Sequence, residues 1–273
     1  MSCSIAKRSF ERSILLDGAS AGAAIGAIAV FGGCAALCEP GRMQAVAIAS
    51  ADSLYDDAEF VEAVVVLRKA LELAPECPDI VWRLARCIYQ TSQMADVSLK
   101  EKKHLVDEAY ELIEKALEMD PDNYKIHSWY GILLQEKGTL EGTKAKIAVL
   151  MKVKESWKKA VELNARDSTS LHLLGRWCYG ITEIDWFSRN IARALFGKLP
   201  DTNYEEALMY FMKSENIAPG KWKKNAAMIA FCQLRLGKKE EAKAWFEKAL
   251  KVPIKTEEDR KTHAEVMKEL KLN

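Results

Sequence analysis

Residues 109–121 read AYELIEKALEMDP, and residues 63–75, AVVVLRKALELAP, align with them without a gap. The two segments carry alanine, a large aliphatic residue, alanine and proline at identical spacing: Ala63, Leu67, Ala70 and Pro75, and Ala109, Ile113, Ala116 and Pro121. Residues spaced four and three apart lie on one face of an α-helix, and a proline ends a helix. Each segment therefore predicts an amphipathic helix followed by a turn.

Three later segments repeat this pattern. They are VKESWKKAVELNA (153–165), ALMYFMKSENIAP (207–219) and AKAWFEKALKVPI (242–254). The first of them lacks the proline, and the last carries it at position 253. Five copies at a fixed internal spacing indicate a repeat protein in which each copy packs against its neighbours.

A second signature, large-x-x-large-small-x-x-large, precedes the last four copies. Its members are Trp82, Ala85, Arg86 and Tyr89; His127, Tyr130, Gly131 and Leu134; Leu171, Leu174, Gly175 and Cys178; and Ala226, Ile229, Ala230 and Gln233. The two signatures together are typical of tetratricopeptide repeats, in which two antiparallel helices form each unit. The sequence therefore predicts an all-α, tetratricopeptide-like helical-repeat solenoid. The small position allows two helices to approach closely, and Arg86 at that position predicts looser packing or an outward side chain.

The units are longer than usual. The copies begin at residues 63, 109, 153, 207 and 242, which makes them 46, 44, 54 and 35 residues apart, against roughly 34 in an ordinary repeat. The extra length falls at 91–108, 135–152 and 180–205, which predicts extended or inserted helices there. The final stretch TEEDRKTHAEVMKELKL (256–272) predicts a capping helix. Thr256 is its N-cap, and Ala264, Met267 and Leu270 form its apolar side.

The first forty residues differ from the rest. Residues 18–38, GASAGAAIGAIAVFGGCAALC, carry no charge and are just long enough to cross a bilayer. Basic residues and serines precede them, as in a membrane anchor or a mitochondrial targeting segment. The alternative is a flexible low-complexity tail. We therefore divide the chain into residues 1–42, an anchor, targeting or flexible segment, and residues 43–273, the repeat domain with its capping helix.

Composition argues against several classes of function. Forty basic residues balance 39 acidic ones, so overall charge predicts no nucleic-acid partner. Seven cysteines with no CxxC pair indicate reduced thiols in a protein that faces the cytosol. The four histidines have no metal-ligand spacing, and phosphate loops and nucleophile elbows are absent. We therefore expect no catalytic, metal or cofactor site, and a protein that is not an enzyme.

Binding is the remaining role, and the first helix of each pair would line a concave groove. The candidate groove residues are mostly basic: Arg83, Lys125, His172, Arg176, Tyr179, Lys224 and Arg235. Such a groove would attract an anionic partner. The alternative is that these side chains pair with acids on neighbouring helices. His172 also has a structural alternative, as a satisfied histidine within its helix.

Two further segments are candidates for binding. The stretch KAKIAVLMKVKESWKK (144–159) carries six lysines, which could meet a polyanionic lattice or form a solvated helix face. The insert DWFSRNIARALFGK (185–198) predicts a basic amphipathic helix. Its candidate contact residues for a membrane or a partner are Trp186, Phe187, Arg189, Arg193 and Phe196. We expect its aromatic side chains to pack onto the solenoid in preference to binding outward.

The segment SLYDDAEF (53–60) resembles the acidic, aromatic peptides that tethering receptors of the endoplasmic reticulum bind. The first repeat, however, needs core residues here, and a segment folded into a solenoid cannot be an extended ligand. We therefore interpret it as scaffold.

Several stretches resemble one known family, the regulators of microtubule dynamics. They are residues 51–86, residues 173–198 with the motif LLGRWCYGITEIDWFSRNIARALFGK, residues 204–220 and residues 231–250. The resemblance covers about residues 50–260 and includes the insert, which ordinary tetratricopeptide proteins lack. It implies an all-helical, non-enzymatic domain that associates with microtubules and spindle poles. It also implies an alternative, because anchored relatives sit on the mitochondrial outer membrane, contact endoplasmic-reticulum proteins and hold phospholipid.

The predicted function is therefore a microtubule-associated adaptor of the cytoplasm, cytoskeleton and spindle poles, which binds through the basic groove. The alternative is a phospholipid-binding tether between mitochondria and endoplasmic reticulum, held at the mitochondrial outer membrane by the N-terminal segment.

Overall fold

A computed structural model describes residues 40–197 and 201–271, which form thirteen helices. The helices are α1 (Pro40–Asp56), α2 (Phe60–Leu73), α3 (Pro78–Ser92), α4 (Leu99–Met119), α5 (Tyr124–Glu141), α6 (Thr143–Ala148), α7 (Leu150–Leu163), α8 (Ser168–Thr182), α9 (Trp186–Phe196), α10 (Tyr204–Ile217), α11 (Lys223–Arg235), α12 (Lys239–Lys251) and α13 (Glu257–Glu269).

The helices pack in pairs along the chain. The pairs are α1 with α2, α3 with α4, α5 with α7, α8 with α10, and α11 with α12, and α13 packs against the last pair. Each second helix also contacts the first helix of the next pair, which builds a continuous stack. The five aligned segments correspond to α2, α4, α7, α10 and α12. The predicted tetratricopeptide-like solenoid is therefore confirmed.

Side-chain caps fix where several of the helices begin. Asp167 accepts a hydrogen bond from the Ser170 amide at 2.9 Å at the start of α8. Thr256 and Asp259 form a capping box at the start of α13, each accepting from the other's backbone amide. Such caps satisfy amides that have no partner within the helix. The predicted N-cap at Thr256 is confirmed.

The first helix of each pair is called the inner helix below. From the second pair onward, the eighth residue of each inner helix is small. These residues are Ala85, Gly131, Gly175 and Ala230. A Cβ atom on Gly131 would lie 2.3 Å from Nε1 of Trp157, and one on Gly175 would lie 2.7 Å from Cε1 of Phe211. Only a glycine allows these paired helices to approach so closely.

The prediction that Arg86 occupies the small position was wrong. That prediction aligned Trp82 with His127. When α3 and α5 are aligned by their first residues, Val81 aligns with His127 instead. Ala85 then occupies the small position, where it is buried. Arg86 turns toward α1, where its Nη2 atom lies 2.6 Å from Oδ1 of Asp52. Its guanidinium also stacks 3.7 Å from the ring centre of Tyr55.

The predicted extra length takes two forms. After α3 it is absorbed by a loop and by α4, which runs for 21 residues. In the next two units it forms the inserted helices α6 and α9, and these two helices contact each other. Gly142 adopts φ 106° between α5 and α6, a conformation that favours glycine and lets the chain turn sharply.

The capping helix α13 packs with a different face from the one predicted. Thr262 and Val266 are buried and Leu270 packs against the core, whereas Ala264 is exposed and Met267 is half-buried. The core that α13 closes consists of residues from α11 and α12, among them Ala230 and Phe246.

The segment 53–60 is scaffold, as predicted. Its first residues belong to α1, and Phe60 begins α2 and is buried. The ring of Tyr55 lies 5.3 Å from that of Phe60. These aromatic side chains join the first pair of helices.

The predicted anchor or tail at 1–42 lies almost wholly outside the described residues, which begin with α1 at Pro40. Within residues 40–197 and 201–271, no helix combines the length and apolarity that crossing a bilayer requires.

Two glycines of α8 provide a matched test of helix packing. We expect Gly175→Ala to lower the free energy of unfolding by about 1–3 kcal/mol, because its methyl group meets the Phe211 ring. The same change at Gly180, where a Cβ meets nothing within 4 Å, should raise it by up to ~1 kcal/mol through helix propensity. Urea denaturation of both variants gives the comparison, and equal effects would contradict the packing.

Candidate partner-binding surfaces

The predicted groove residues lie on the inner helices α3, α5, α8 and α11. Arg83 of α3 binds two carboxylates, with Nε 3.0 Å from Oδ2 of Asp52 and Nη1 2.6 Å from Oδ1 of Asp79. Lys125 of α5 has its Nζ atom 3.6 Å from Oδ1 of Asp167, the buried N-cap of α8. The positive charge at this end of the solenoid is therefore compensated.

The remaining cations of the groove are paired in the same way. Arg176 of α8 lies 3.5 Å from Glu258, and Lys224 of α11 lies 3.1 Å from Glu265. Both glutamates belong to α13. Arg235, at the end of α11, lies 2.8 Å from Glu183, which follows α8. The capping helix thus supplies acid to the inner helices of two units.

The prediction of an uncompensated basic groove was wrong, and the alternative of pairing with neighbouring acids is correct. Every cation predicted to line the groove has a carboxylate partner. Several of these acids belong to elements outside the repeat signatures, so the spacing of the inner helices did not reveal them. The acidic first turn of α13, residues 257–259, was the feature of the sequence that could have indicated a partner for the groove cations.

The segment between α12 and α13 contacts the other end of the solenoid. The Nζ atom of Lys255 donates to the backbone carbonyl of Asp56, at the end of α1, over 3.3 Å. Glu258 then contacts Arg176 of α8. Residues 255–258 therefore connect the last unit with the first and the fourth.

His172 is buried, so it does not line an open groove. Its Nδ1 atom is 2.9 Å from Oδ1 of Asn225, and its ring lies 3.8 Å from that of Trp222. Burial, with the positive charges of Arg176 and Lys224, lowers the pKa of His172 well below its ordinary value. His172 is therefore a buried structural residue, as the alternative held, but it is only half satisfied, because its Nε2 atom has no hydrogen-bond partner among the described residues.

Tyr179 lies beside the Arg235–Glu183 pair. Its ring is 5.6 Å from that of Tyr204, whose hydroxyl donates to Glu183. Partial burial raises the pKa of Tyr179, and a hydrogen bond with Arg235 opposes that shift. Tyr179 is thus held by neighbouring polar groups of the same chain.

The buried cysteines have the properties of core residues. Burial raises the pKa of Cys87 and of Cys178 to about 11, and that of Cys232 to about 12. A thiol with such a pKa is protonated at neutral pH and is a poor nucleophile and metal ligand. Residues 40–197 and 201–271 hold no cluster of histidine, cysteine and acidic residues suited to a metal ion.

A basic group of exposed side chains does exist on the third unit. We call it the outer lysine face, and its members are exposed side chains of α6 and α7: Lys144, Lys146, Lys152, Lys158 and Lys159. Lys159 lies 4.0 Å from Asp122. Within the described chain, the other four lysines have no carboxylate at ion-pairing distance. The stretch 144–159 contains six lysines and one glutamate, so this face carries a net positive charge.

The expectation that α9 packs its aromatic side chains onto the solenoid was wrong. Trp186 is 76% exposed and Phe187 is 60% exposed, whereas Ala192 alone is fully buried in this helix. Phe196 is half-buried, and Arg189 and Arg193 have no carboxylate partner within the described residues. The helix has only 11 residues, contacts the short α6 and fully buries only Ala192, so its first two aromatic rings are left uncovered.

Comparisons with known proteins identify relatives of this chain. The family model described as Regulator of microtubule dynamics protein 1-3 matches residues 47–273. Regulator of microtubule dynamics protein 1 of Bos taurus is 40% identical over 215 residues, which cover 79% of this chain and 67% of that protein. The Mus musculus protein of the same name is 39% identical over 218 residues, with 80% and 71% covered.

A solved structure shares the fold. The chain is similar to a thermophilic TPR protein of Thermus thermophilus, with a TM-score of 0.56 and 18% identity, over 82% of this chain and 98% of that one. The likeness at this identity concerns the fold alone.

Removing the acids of α13 should uncover the groove cations. We expect the double variant Glu258→Gln/Glu265→Gln to elute from a heparin column at higher salt than wild type, because Arg176 and Lys224 lose their partners. The control Glu241→Gln/Glu247→Gln changes net charge equally at exposed positions of α12. Identical elution of the two variants would show that the pairs do not mask the groove.

His172 should make stability depend on pH. Since its pKa is lowered by folding, the unfolded chain takes up the proton first, and stability is lost as pH falls below about 6.5. The loss approaches ~1.4 kcal/mol per pH unit. Between pH 7 and 5.5, urea denaturation should show a smaller loss for His172→Gln than for wild type. The control His104→Gln, at an exposed position, should keep the wild-type loss.

Proposed function

The chain belongs to the regulator of microtubule dynamics family, and on that premise we propose that it regulates microtubule dynamics as a non-enzymatic, microtubule-binding adaptor. Its place of action is then the cytoplasm, on the cytoskeleton and at spindle poles. The solenoid supplies a rigid frame, and its surfaces supply the contacts.

The outer lysine face is the observation that carries this proposal. Microtubules expose the acidic carboxyl-terminal tails of tubulin, and a cluster of unpaired lysines attracts such a polyanion over several ångströms. Lys144, Lys146 and Lys158 are exposed and have no carboxylate partner among the described residues. Flexible lysine side chains also tolerate the irregular geometry of a mobile tail.

We do not propose the concave side as the surface that binds tubulin tails. Its arginines and lysines already bind carboxylates of the same chain. An anionic tail would have to displace these partners before it could bind. The outer lysine face requires no such exchange.

An adaptor without catalysis agrees with the chemistry of the described side chains. The buried thiols are protonated at neutral pH, and His172 is buried and held by Asn225. The buried polar groups also serve the scaffold: Ser128 and Ser170 both bind Asp167, which joins α5 to the start of α8.

A phospholipid-binding membrane-contact module is the second candidate. The exposed aromatic residues of α9 favour it, because large apolar side chains in water are characteristic of membrane or partner contacts. An acyl chain held in the concave groove is less favoured, because residues 255–258 cross that side. Attachment to the mitochondrial outer membrane remains a prediction about the N-terminal segment.

The first candidate is tested by co-sedimentation with microtubules. We expect the wild-type chain to pellet at low salt and to lose on the order of tenfold in affinity when the acidic tails of tubulin are removed. The variant Lys144→Glu/Lys146→Glu/Lys158→Glu should lose a similar amount on intact microtubules.

A matched control changes the same charge elsewhere. Lys100, Lys103 and Lys243 are exposed on α4 and α12, and their replacement by glutamate should leave pelleting within about twofold of wild type. Equal losses of microtubule affinity in the two triple variants would show that net charge alone, and not the position of the lysines, causes the effect. The absence of pelleting with either form of tubulin would contradict direct binding.

A further inference from the structure

The most exposed large apolar side chains of the inserted helix stand together with unpaired cations. In α9, Trp186, Phe187 and Leu195 are 76%, 60% and 42% exposed. The helix rests on α6, whose lysines Lys144 and Lys146 are also exposed. We propose that α9 and α6 form a docking surface for an anionic lipid bilayer. This surface is called the α6–α9 patch below.

The exposure of these rings follows from how α9 is held. Ala192 is its only fully buried residue, and Arg189 donates from Nη2 to the carbonyl of Ile184 at 3.4 Å. The side of the helix opposite Ala192 therefore faces solvent. Tryptophan and phenylalanine in that position leave a large apolar area in water, which is unfavourable unless another phase or partner covers it.

The charge around the rings fits an anionic surface. Within residues 40–197 and 201–271, Lys144, Lys146, Arg189 and Arg193 have no carboxylate at ion-pairing distance. The two acids nearest in sequence to Arg189 are already engaged. Asp185 caps α9 by accepting from the amide of Ser188 at 3.0 Å, and Glu183 binds Arg235. The cations of the patch are thus left to interact with an external anion.

The arrangement of the side chains favours a bilayer over a groove on another protein. A helix that binds in a protein groove presents a narrow apolar stripe at positions i, i+4 and i+7. From Trp186 those positions are Asn190 and Arg193, which are polar, and from Phe187 they are the half-buried Ile191 and the small Ala194. The exposed residues Trp186, Phe187 and Leu195 instead spread over about half of the helix circumference, and Arg189 and Arg193 lie on the Trp186 side of that arc. That distribution is characteristic of helices that lie in the membrane interface, where aromatic rings reach the headgroup level.

This docking surface goes beyond the proposed microtubule role, and it depends on different side chains. The α6–α9 patch shares Lys144 and Lys146 with the outer lysine face, but its aromatic residues have no part in binding tubulin tails. The variant Trp186→Ala/Phe187→Ala therefore separates the two functions. It should weaken attachment to lipid and leave pelleting with microtubules unchanged.

Vesicle flotation tests the proposal with the full chain. We expect it to float with vesicles of phosphatidylcholine and phosphatidylserine in a 7:3 ratio, and to bind pure phosphatidylcholine at least tenfold more weakly. Trp186→Ala/Phe187→Ala should reduce binding to the anionic vesicles by on the order of tenfold. The control Leu73→Ala/Leu99→Ala removes two other exposed apolar side chains, 72% and 74% exposed, and should bind as wild type does.

Fluorescence quenching identifies the residue that enters the bilayer, whatever else holds the chain on the vesicle. Residues 1–39 contain no tryptophan. Lipids brominated on their acyl chains should therefore quench wild-type fluorescence through Trp186, and Trp186→Phe should abolish that quenching. Trp245→Phe, which changes a half-buried tryptophan of α12, should retain it.

Two results would overturn the proposal. One is the absence of flotation with anionic vesicles, which would leave a protein partner as the occupant of the patch. The other is flotation with equal quenching in wild type and Trp186→Phe, which would show that another segment binds the lipid. Loss of microtubule pelleting without loss of flotation would concern only the proposed adaptor role.

Discussion

The close approach of paired helices at one small residue per unit is the constraint on which the rest of the structure depends. At Gly131 and Gly175, the missing side chain leaves room for the rings of Trp157 and Phe211 from the partner helices. Both rings are fully buried, and the indole nitrogen of Trp157 donates to the carbonyl of Ser128. This contact sets the distance within each pair, and the repetition of the pair then sets the direction of the whole stack.

That geometry also determines which charges are available to a partner. The inner helices bring arginines and lysines together, but the same curvature brings α1 and α13 near them, and both helices carry acids. Positive charge is therefore compensated on the inside. It stays available on α6, α7 and α9, which include both inserted helices and lie at the middle of the solenoid. The insertions that lengthen the central units are thus the elements that distinguish this solenoid from an ordinary one.

The sequence predicted the fold well because its information is local. The spacing of Ala109, Ile113 and Ala116 defines a helix face, and Gly131 and Gly175 mark where two helices touch. Arg86 shows the limit of this approach, since an alignment displaced by one residue assigned it to the contact instead of Ala85. Such a displacement changes which face of the helix a residue occupies.

The binding surfaces were harder to predict because they depend on contacts between distant parts of the chain. The acid that neutralises Arg176 is Glu258, 82 residues later, and no repeat signature includes it. In α9, the sequence correctly indicated an amphipathic helix. It gave no measure of how little surface α6 offers, so the exposure of Trp186 became visible only in three dimensions.

Lys255 and Asp56 give this molecule a mechanical property that a linear array of repeats lacks. In an open array each unit is stabilised only by its nearest neighbours, and fraying from a free end costs little. Here a hydrogen bond joins positions 199 residues apart and ties the last unit to the first. Peeling away either terminal pair must therefore break a contact with the opposite one. This contact at an exposed lysine couples the two ends weakly, so the repeats should unfold slightly more cooperatively than those of an open array.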